Sequence, residues 1–176
     1  LSEMEEKLPF EFGKYLRKSL EIIKLKGAVA QEAALDERAF RPGILILAIG
    51  GLAIAIGALF QGQVSTAVEA SFLVLFAPVI NIVMFSFFIA IFHGFARLLG
   101  GKATFGEYYR ATSLAWVLSW TQVVPVVGAV VSLWSIPVNV VILKSVHKLS
   151  TLESCAVLAL MMCVGMGVLY FSGVLG

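Results

Sequence analysis

Four side chains, His93, His147, Cys155 and Cys163, are the soft ligands from which a metal centre would have to be built. A structural zinc site takes four ligands at recurrent short spacings, and these four match no such pattern. The two cysteines stand eight residues apart in one apolar run. In a straight helix that is about 12 Å along the axis, beyond the roughly 7 Å a disulfide bridges. Aspartate occurs once, at Asp36, so a buried aspartate pair for intramembrane proteolysis is missing. The zinc-protease, nucleophile-elbow and phosphate-loop motifs are absent too. The expectation is a non-enzyme with no catalytic, cofactor-binding or metal-binding residues. Its two histidines are expected at a membrane boundary, hydrogen-bonded or solvated.

What remains is polar but uncharged chemistry inside apolar runs. Pro78 with Asn81, and Pro137 with Asn139, place a proline and an amide side chain in the middle of two such runs. A proline leaves a carbonyl in the preceding turn without its donor. Matched pairs of interrupted helices are the usual pointer to a midplane solute site. Asn81, Asn139, Pro78 and Pro137 are therefore the candidates for such a site.

These residues need membrane helices to hold them. Of 176 residues, 60% are hydrophobic and 14% charged, and mean hydropathy is +0.96, far from the roughly 25% charged of a soluble domain. Apolar stretches at 44–60, 70–92, 108–124, 126–143 and 152–175 predict five spans, against a requirement of about 17–25 residues each. The third is the shortest run and is expected to draw Tyr108 and Tyr109 into the interface. An unbroken helix from Ala111 to Leu143 would be about 50 Å long, so Pro125 and Gly128 are expected to turn a hairpin. Glycines at Gly50, Gly51, Gly57, Gly165, Gly167 and Gly173 predict close helix packing.

Residues 1–41 form a charged arm ahead of the membrane domain at 42–176. Phe12, Tyr15, Leu16, Leu20 and Ile23 fall at helical spacing, with Lys14, Arg17, Lys18 and Lys24 on the other side. This predicts an amphipathic helix, lying on lipid with its cations toward anionic headgroups or docked on the protein or a partner. Of the 13 Lys and Arg, eight precede the first span, three lie between spans two and three, and two between spans four and five. The positive-inside rule then puts the N-terminus in the cytoplasm and the C-terminus outside. A net charge of +2 suggests no nucleic-acid partner. The expected partners are the bilayer, anionic lipids, and further copies of the chain or other membrane proteins.

The two basic loops repeat one pattern. Lys102-Ala103-Thr104-Phe105-Gly106-Glu107 and Lys148-Leu149-Ser150-Thr151-Leu152-Glu153 both read K-x-[ST]-x-x-E. Thr104 with Glu107, and Ser150 with Glu153, predict capping boxes that start the next helices.

The loop Leu99-Gly100-Gly101-Lys102-Ala103-Thr104-Phe105 and the loop Lys144 to Thr151, containing His147, resemble the Yip1 domain family. Members often carry Gly-Gly-Lys-x-Ser/Thr at the first place and His-Gly-hydrophobic-Ser/Thr at the second, where this chain has Lys148 for the glycine. The resemblance implies an all-α, five-span membrane protein that organises membranes without catalysis. Its eukaryotic members are tied to vesicle traffic and to prenylated Rab-type GTPases, for which no contact residue can be matched here. The short arm makes the chain similar to prokaryotic members, archaeal ones among them, so a prokaryotic cell membrane is the expected location. Gly100, Gly101, Lys102, Thr104, Glu107, His147, Ser150 and Glu153 are the loop residues that the resemblance and the repeat single out.

Overall fold

The computed structural model describes residues 11–171, and every regular element among them is helical. The first ten residues of the arm and the last residues of the expected fifth span lie outside the described residues. Helix α1 spans Phe12–Ile23, α2 Gly27–Leu35, α3 Phe40–Phe60, α4 Ala67–Leu98, α5 Phe105–Ala115, α6 Pro125–Val146 and α7 Thr151–Phe171. A 3₁₀ turn, Glu37–Ala39, leads into α3, and α5 continues as a 3₁₀ segment, Trp116–Val123.

Three helices are long and apolar enough to cross a bilayer: Glu37–Phe60, Ala67–Leu98 and Val126–Val146. Thr151–Gly167 adds a shorter apolar helix. Phe72, Leu75, Val79, Val83 and Phe87 of α4, with Val126, Val130 and Leu133 of α6, are all exposed. Apolar surface this continuous is not left to water, and the chain is an integral membrane protein.

Local chemistry sets the helix ends. At the end of α4, the Gly100 amide donates to Arg97 O at 3.1 Å and the Gly101 amide to Ala96 O at 2.7 Å. That pair of bonds is the Schellman motif, and Gly100 supplies the left-handed residue it requires at φ +90°. Leu25 at the end of α1 takes the same role with φ +66°, its amide donating to Ile22 O and that of Lys26 to Glu21 O. The hairpin turn falls at Val124, extended, followed by Pro125 at the first position of α6, where a missing N–H costs nothing.

The element least like a membrane span sits at the centre. In α5, Tyr108, Tyr109 and every residue from Ala111 to Ala115 are buried, against packing from α1, α2, α3, α4 and α6. Tyr108 and Tyr109 are thus inside the bundle and not at an interface, because five helices wall this segment off. The expected helix at 108–124 is instead α-helical only to Ala115 and 3₁₀ beyond it. α3 provides the track for it. A Cβ on Gly43 would meet Ser113 Oγ, one on Gly50 would meet Ser119 Oγ, and one on Gly57 would meet the Gln122 carbonyl, each at 2.2 Å. Small residues spaced by seven let the two backbones approach. On the other side of α3, a Cβ on Gly51 would lie 2.5 Å from Ala77 O and 2.8 Å from Pro78 Cα of α4. Helix α7 packs on α4 and α6.

The arm is two helices. α1 buries Tyr15, Ser19 and Ile22, a stripe rotated from the expected one, and leaves Leu20 44% exposed. The reason is that α2 and α5 both pack on α1, so its inner face is set by what it docks against.

Candidate functional site

Two places gather the residues singled out above. The first is the end of the bundle where the loops after α4 and α6 meet. The Lys102 amide donates to the His147 carbonyl at 3.0 Å, tying one loop to the other. Thr104 and Glu107 form a complete capping box, the Thr104 amide donating to the carboxylate at 2.6 Å and the Glu107 amide to Thr104 Oγ1 at 3.3 Å. Ser150 and Glu153 form the matching pair at 2.7 and 3.2 Å. Hydrogen bonds from the Thr104 and Ser150 amides hold the Glu107 and Glu153 carboxyls below their ordinary pKa. A third box, Thr66 with Glu69 at the start of α4, was signalled by the same T-x-x-E spacing.

His147 caps α6 and is fully buried. Its Nε2 lies 3.4 Å from Nδ1 of His93 on α4, and its ring centroid is 4.8 Å from that of Tyr108 on α5. Its own Nδ1 is buried with no partner among the described residues. An orphaned acceptor is tolerated better than an orphaned donor, which favours Nε2–H of His147 donating to His93. Burial, then the neighbouring His93 and Arg97, push the His147 imidazole down to about 4. The histidines are therefore hydrogen-bonded, one of the two arrangements expected, and each is the other's partner. They meet because α4 and α6 run parallel into loops that are hydrogen-bonded together. Gly101 permits this, since a Cβ there would fall 2.6 Å from both Ala96 O and His147 Nδ1. The residue after His147, Lys148, sits at φ +60°, the left-handed region in which glycine is favoured. Arg97, not singled out in the sequence, closes the first loop by donating to Gly101 O at 3.1 Å. Among the described residues, no group of three or more His, Cys, Asp or Glu that could hold a metal comes together.

The arm's cations divide into two kinds. Lys14 pairs with Glu11 at 3.4 Å and Lys24 with Glu21 at 3.1 Å, all on an open surface, and Arg17 is exposed. Lys18 is only 12% exposed and bridges Glu32 at 2.9 Å and Asp36 at 3.4 Å. Asp36 also accepts from Tyr15 Oη at 2.9 Å and from the Arg38 amide at 3.1 Å. Burial alone would raise the Asp36 carboxyl, but these donors and the Lys18 ammonium hold it low. Burial, then the bond to Asp36, pushes the Tyr15 hydroxyl up to about 12. Lys18 thus fastens α1 to α2.

The second place is a cavity of about 530 Å³ between α4, α6 and the central segment. Asn81 and Asn139 both line it. Asn81 Nδ2 donates to Leu47 O of α3 at 2.6 Å, and Asn139 Nδ2 to Ser135 O at 2.8 Å. Gln122 joins them, its Nε2 donating to Ser132 Oγ at 3.0 Å. Pro78 and Pro137 lie inside α4 and α6, three residues before Asn81 and two before Asn139, and neither is among the lining residues. Trp116 and Ser119 line it as well, and Trp116 Nε1 and Ser119 Oγ are buried without partners among the described residues, Ser119 Oγ lying close to Gly50 of α3.

Comparison with known proteins agrees with the loops. No curated protein and no solved structure matches the chain. The family model for the Yip1 domain matches residues 26–174, which takes in all seven helices except α1, and the chain belongs to the Yip1 domain family.

Proposed function

We propose that this protein is a non-enzymatic membrane organiser with five crossings, its N-terminus cytoplasmic and its C-terminus outside, in a prokaryotic cell membrane. The observation carrying the proposal is the gathering of basic residues at one end of the bundle. Lys102 and Lys148 flank the joined loops, and Lys144 closes α6 beside them. Arg110 Nε reaches the Ala34 carbonyl at 2.8 Å, which draws the arm to the same end. A rigid basic platform over an anionic leaflet attracts headgroups by about 1 kcal/mol per Lys or Arg. The 3₁₀ winding supports a crossing by the central segment. With α5 it covers about 32 Å, against roughly 30 Å of hydrocarbon. The apolar faces of α4, α6 and α7 are the surfaces on which further copies or other membrane proteins would pack.

The test is capture from native membranes in mild detergent, with mass spectrometry of co-purified proteins and lipids. Neutralising Lys14, Arg17 and Lys24 together is expected to strip anionic lipid or a protein partner. Lys18 is left in place because it holds the arm. If the chain returns alone, or the triple variant retains everything, the organiser reading fails.

A second reading, a small transporter or channel, is favoured by one observation, the meeting of Asn81 and Asn139 in a single cavity. Asn139→Leu is the cleaner probe, because Asn81 also ties α4 to α3. A solute flux in reconstituted liposomes that this change abolishes would support it.

A further inference from the structure

We propose that the cavity between α4 and α6 is a binding site for a neutral, hydroxyl-bearing membrane lipid of the diacylglycerol class. The inference rests on the chain's place in the bilayer and not on the organiser role.

Four observations carry it. None of the residues lining the cavity is ionisable, so a charged headgroup would enter without a counter-charge, at a large desolvation cost. Most of the wall is apolar, with Met84, Phe88 and Phe92 of α4 prominent, and 530 Å³ lies within the roughly 300–1,000 Å³ of small-molecule sites. A bare cation would leave most of that space empty.

The polar part of the wall combines Ser and Thr hydroxyls with three side-chain amides, and the orientation of the amides is fixed. In Asn81 and Asn139 the nitrogen must face the protein, because its partner is a backbone carbonyl, which only accepts. Gln122 is turned by Ser132 Oγ, whose hydrogen is already given to Gly128 O at 2.8 Å. Each amide is left with an oxygen to which no donor is directed among the described residues, and Asn81 and Asn139 each with a second N–H, whereas Gln122 Nε2 also donates to Gly128 O at 3.5 Å. A hydroxyl is the neutral group that both donates and accepts.

Entry is from the side. α4 and α6 converge at His93 and His147 but make little contact along the rest of their lengths, and Met84 and Phe88 are both lining residues and exposed. The gap faces hydrocarbon, so the occupant comes from the membrane and not from water.

The experiment reconstitutes the full chain in phosphatidylcholine nanodiscs with a diazirine-bearing 1,2-dioleoylglycerol. Irradiation is followed by peptide mapping. Labelling is expected to saturate at one per chain, on peptides of α4 and α6 that line the cavity. A tenfold excess of unlabelled 1,2-dioleoylglycerol should suppress it, whereas 1,2-dioleoyl-3-acetylglycerol, which lacks the hydroxyl, should not. Ser135→Leu with Asn139→Leu should lower labelling at least tenfold with the thermal midpoint retained. Should that pair unfold the chain, Ser135→Leu alone, which fills space and gives up one local hydrogen bond to Ser132 O, is the measuring variant. Labelling that does not saturate, that spreads over the whole lipid-facing surface, or that the acetylated lipid suppresses equally would overturn the proposal. The organiser reading is judged by partner capture, so either can fail alone.

Discussion

Acidification should loosen this fold earlier than its carboxylates would, and His147 is the reason. Its imidazole is held at about 4 against an ordinary 6.5, first by burial and then by His93 and Arg97, with Glu107 pulling the other way. Between those two values the unfolded chain binds a proton that the folded chain does not. Stability is therefore complete above about pH 6.5 and is lost as pH falls. At 1.36 kcal/mol per pKa unit, the loss is about 2 kcal/mol by pH 5 and about 3.4 kcal/mol below pH 4. Asp36, Glu107 and Glu153, all held below their ordinary values, add their share only at lower pH. The window from pH 6.5 to 5 separates the two histidines from the carboxylates, and the variant His147→Gln separates His147 from His93. The assay is the thermal midpoint by helical circular dichroism in detergent at pH 8, 6.5 and 5, for the natural chain and for His147→Gln. The variant should start lower at pH 8, having lost the ring's packing on Tyr108, and should then change less than the natural chain down to pH 5, with only His93 left to titrate. Equal pH slopes in the two proteins, or a His147 imidazole that titrates near 6.5 by nuclear magnetic resonance, would refute the reasoning.

Three further outcomes follow from the loops and the arm. Gly101→Ala drives a Cβ into Ala96 O and His147 Nδ1 and should cost about 1–3 kcal/mol, read as a lower thermal midpoint. Lys148→Gly relieves a left-handed residue that costs about 1–2 kcal/mol at some entropic expense, so a higher midpoint, by about 0.5–1 kcal/mol, is expected. Asp36→Ala removes the acceptor shared by Tyr15 and Lys18 and should free α1, which limited proteolysis would detect as cleavage between residues 24 and 36 while the apolar helices stay intact.

Elements whose signal is local were legible in the sequence. The apolar runs at 44–60 and 126–143 fall within α3 and α6, and that at 70–92 within α4, which extends beyond it because Thr66 and Glu69 cap it three residues earlier and Gly100 ends it later. Both loop capping boxes follow from a four-residue spacing, and the hairpin follows from Pro125. Features set by distant partners were not legible. Tyr108 and Tyr109 look like interfacial aromatics until α1 and α2 are seen to cover α5. Lys18 looks like Lys14 and Lys24 until Glu32 and Asp36 are brought to it from α2 and the turn after it. His93 and His147 are 54 residues apart, and only the parallel course of α4 and α6 joins them. The asparagines were singled out by their prolines, yet what collects them is a cavity, with Gln122 as an unforeseen third amide.

The central segment has a consequence for how the chain is made. Thr112 and Ser113, with hydroxyls returned to the Tyr108 and Arg110 carbonyls, and two buried tyrosines suit a stretch walled in by other helices, and they suit it poorly while lipid is its only neighbour. On the five-crossing reading, a ribosome delivers this stretch after α3 and α4 and before α6. Until α6 emerges, the glycine track of α3 is the main surface that can shelter it. Membrane insertion and tertiary packing are then one step for residues 105–123, and damage to Gly43, Gly50 or Gly57 would register first as failed topogenesis and not as a less stable finished protein.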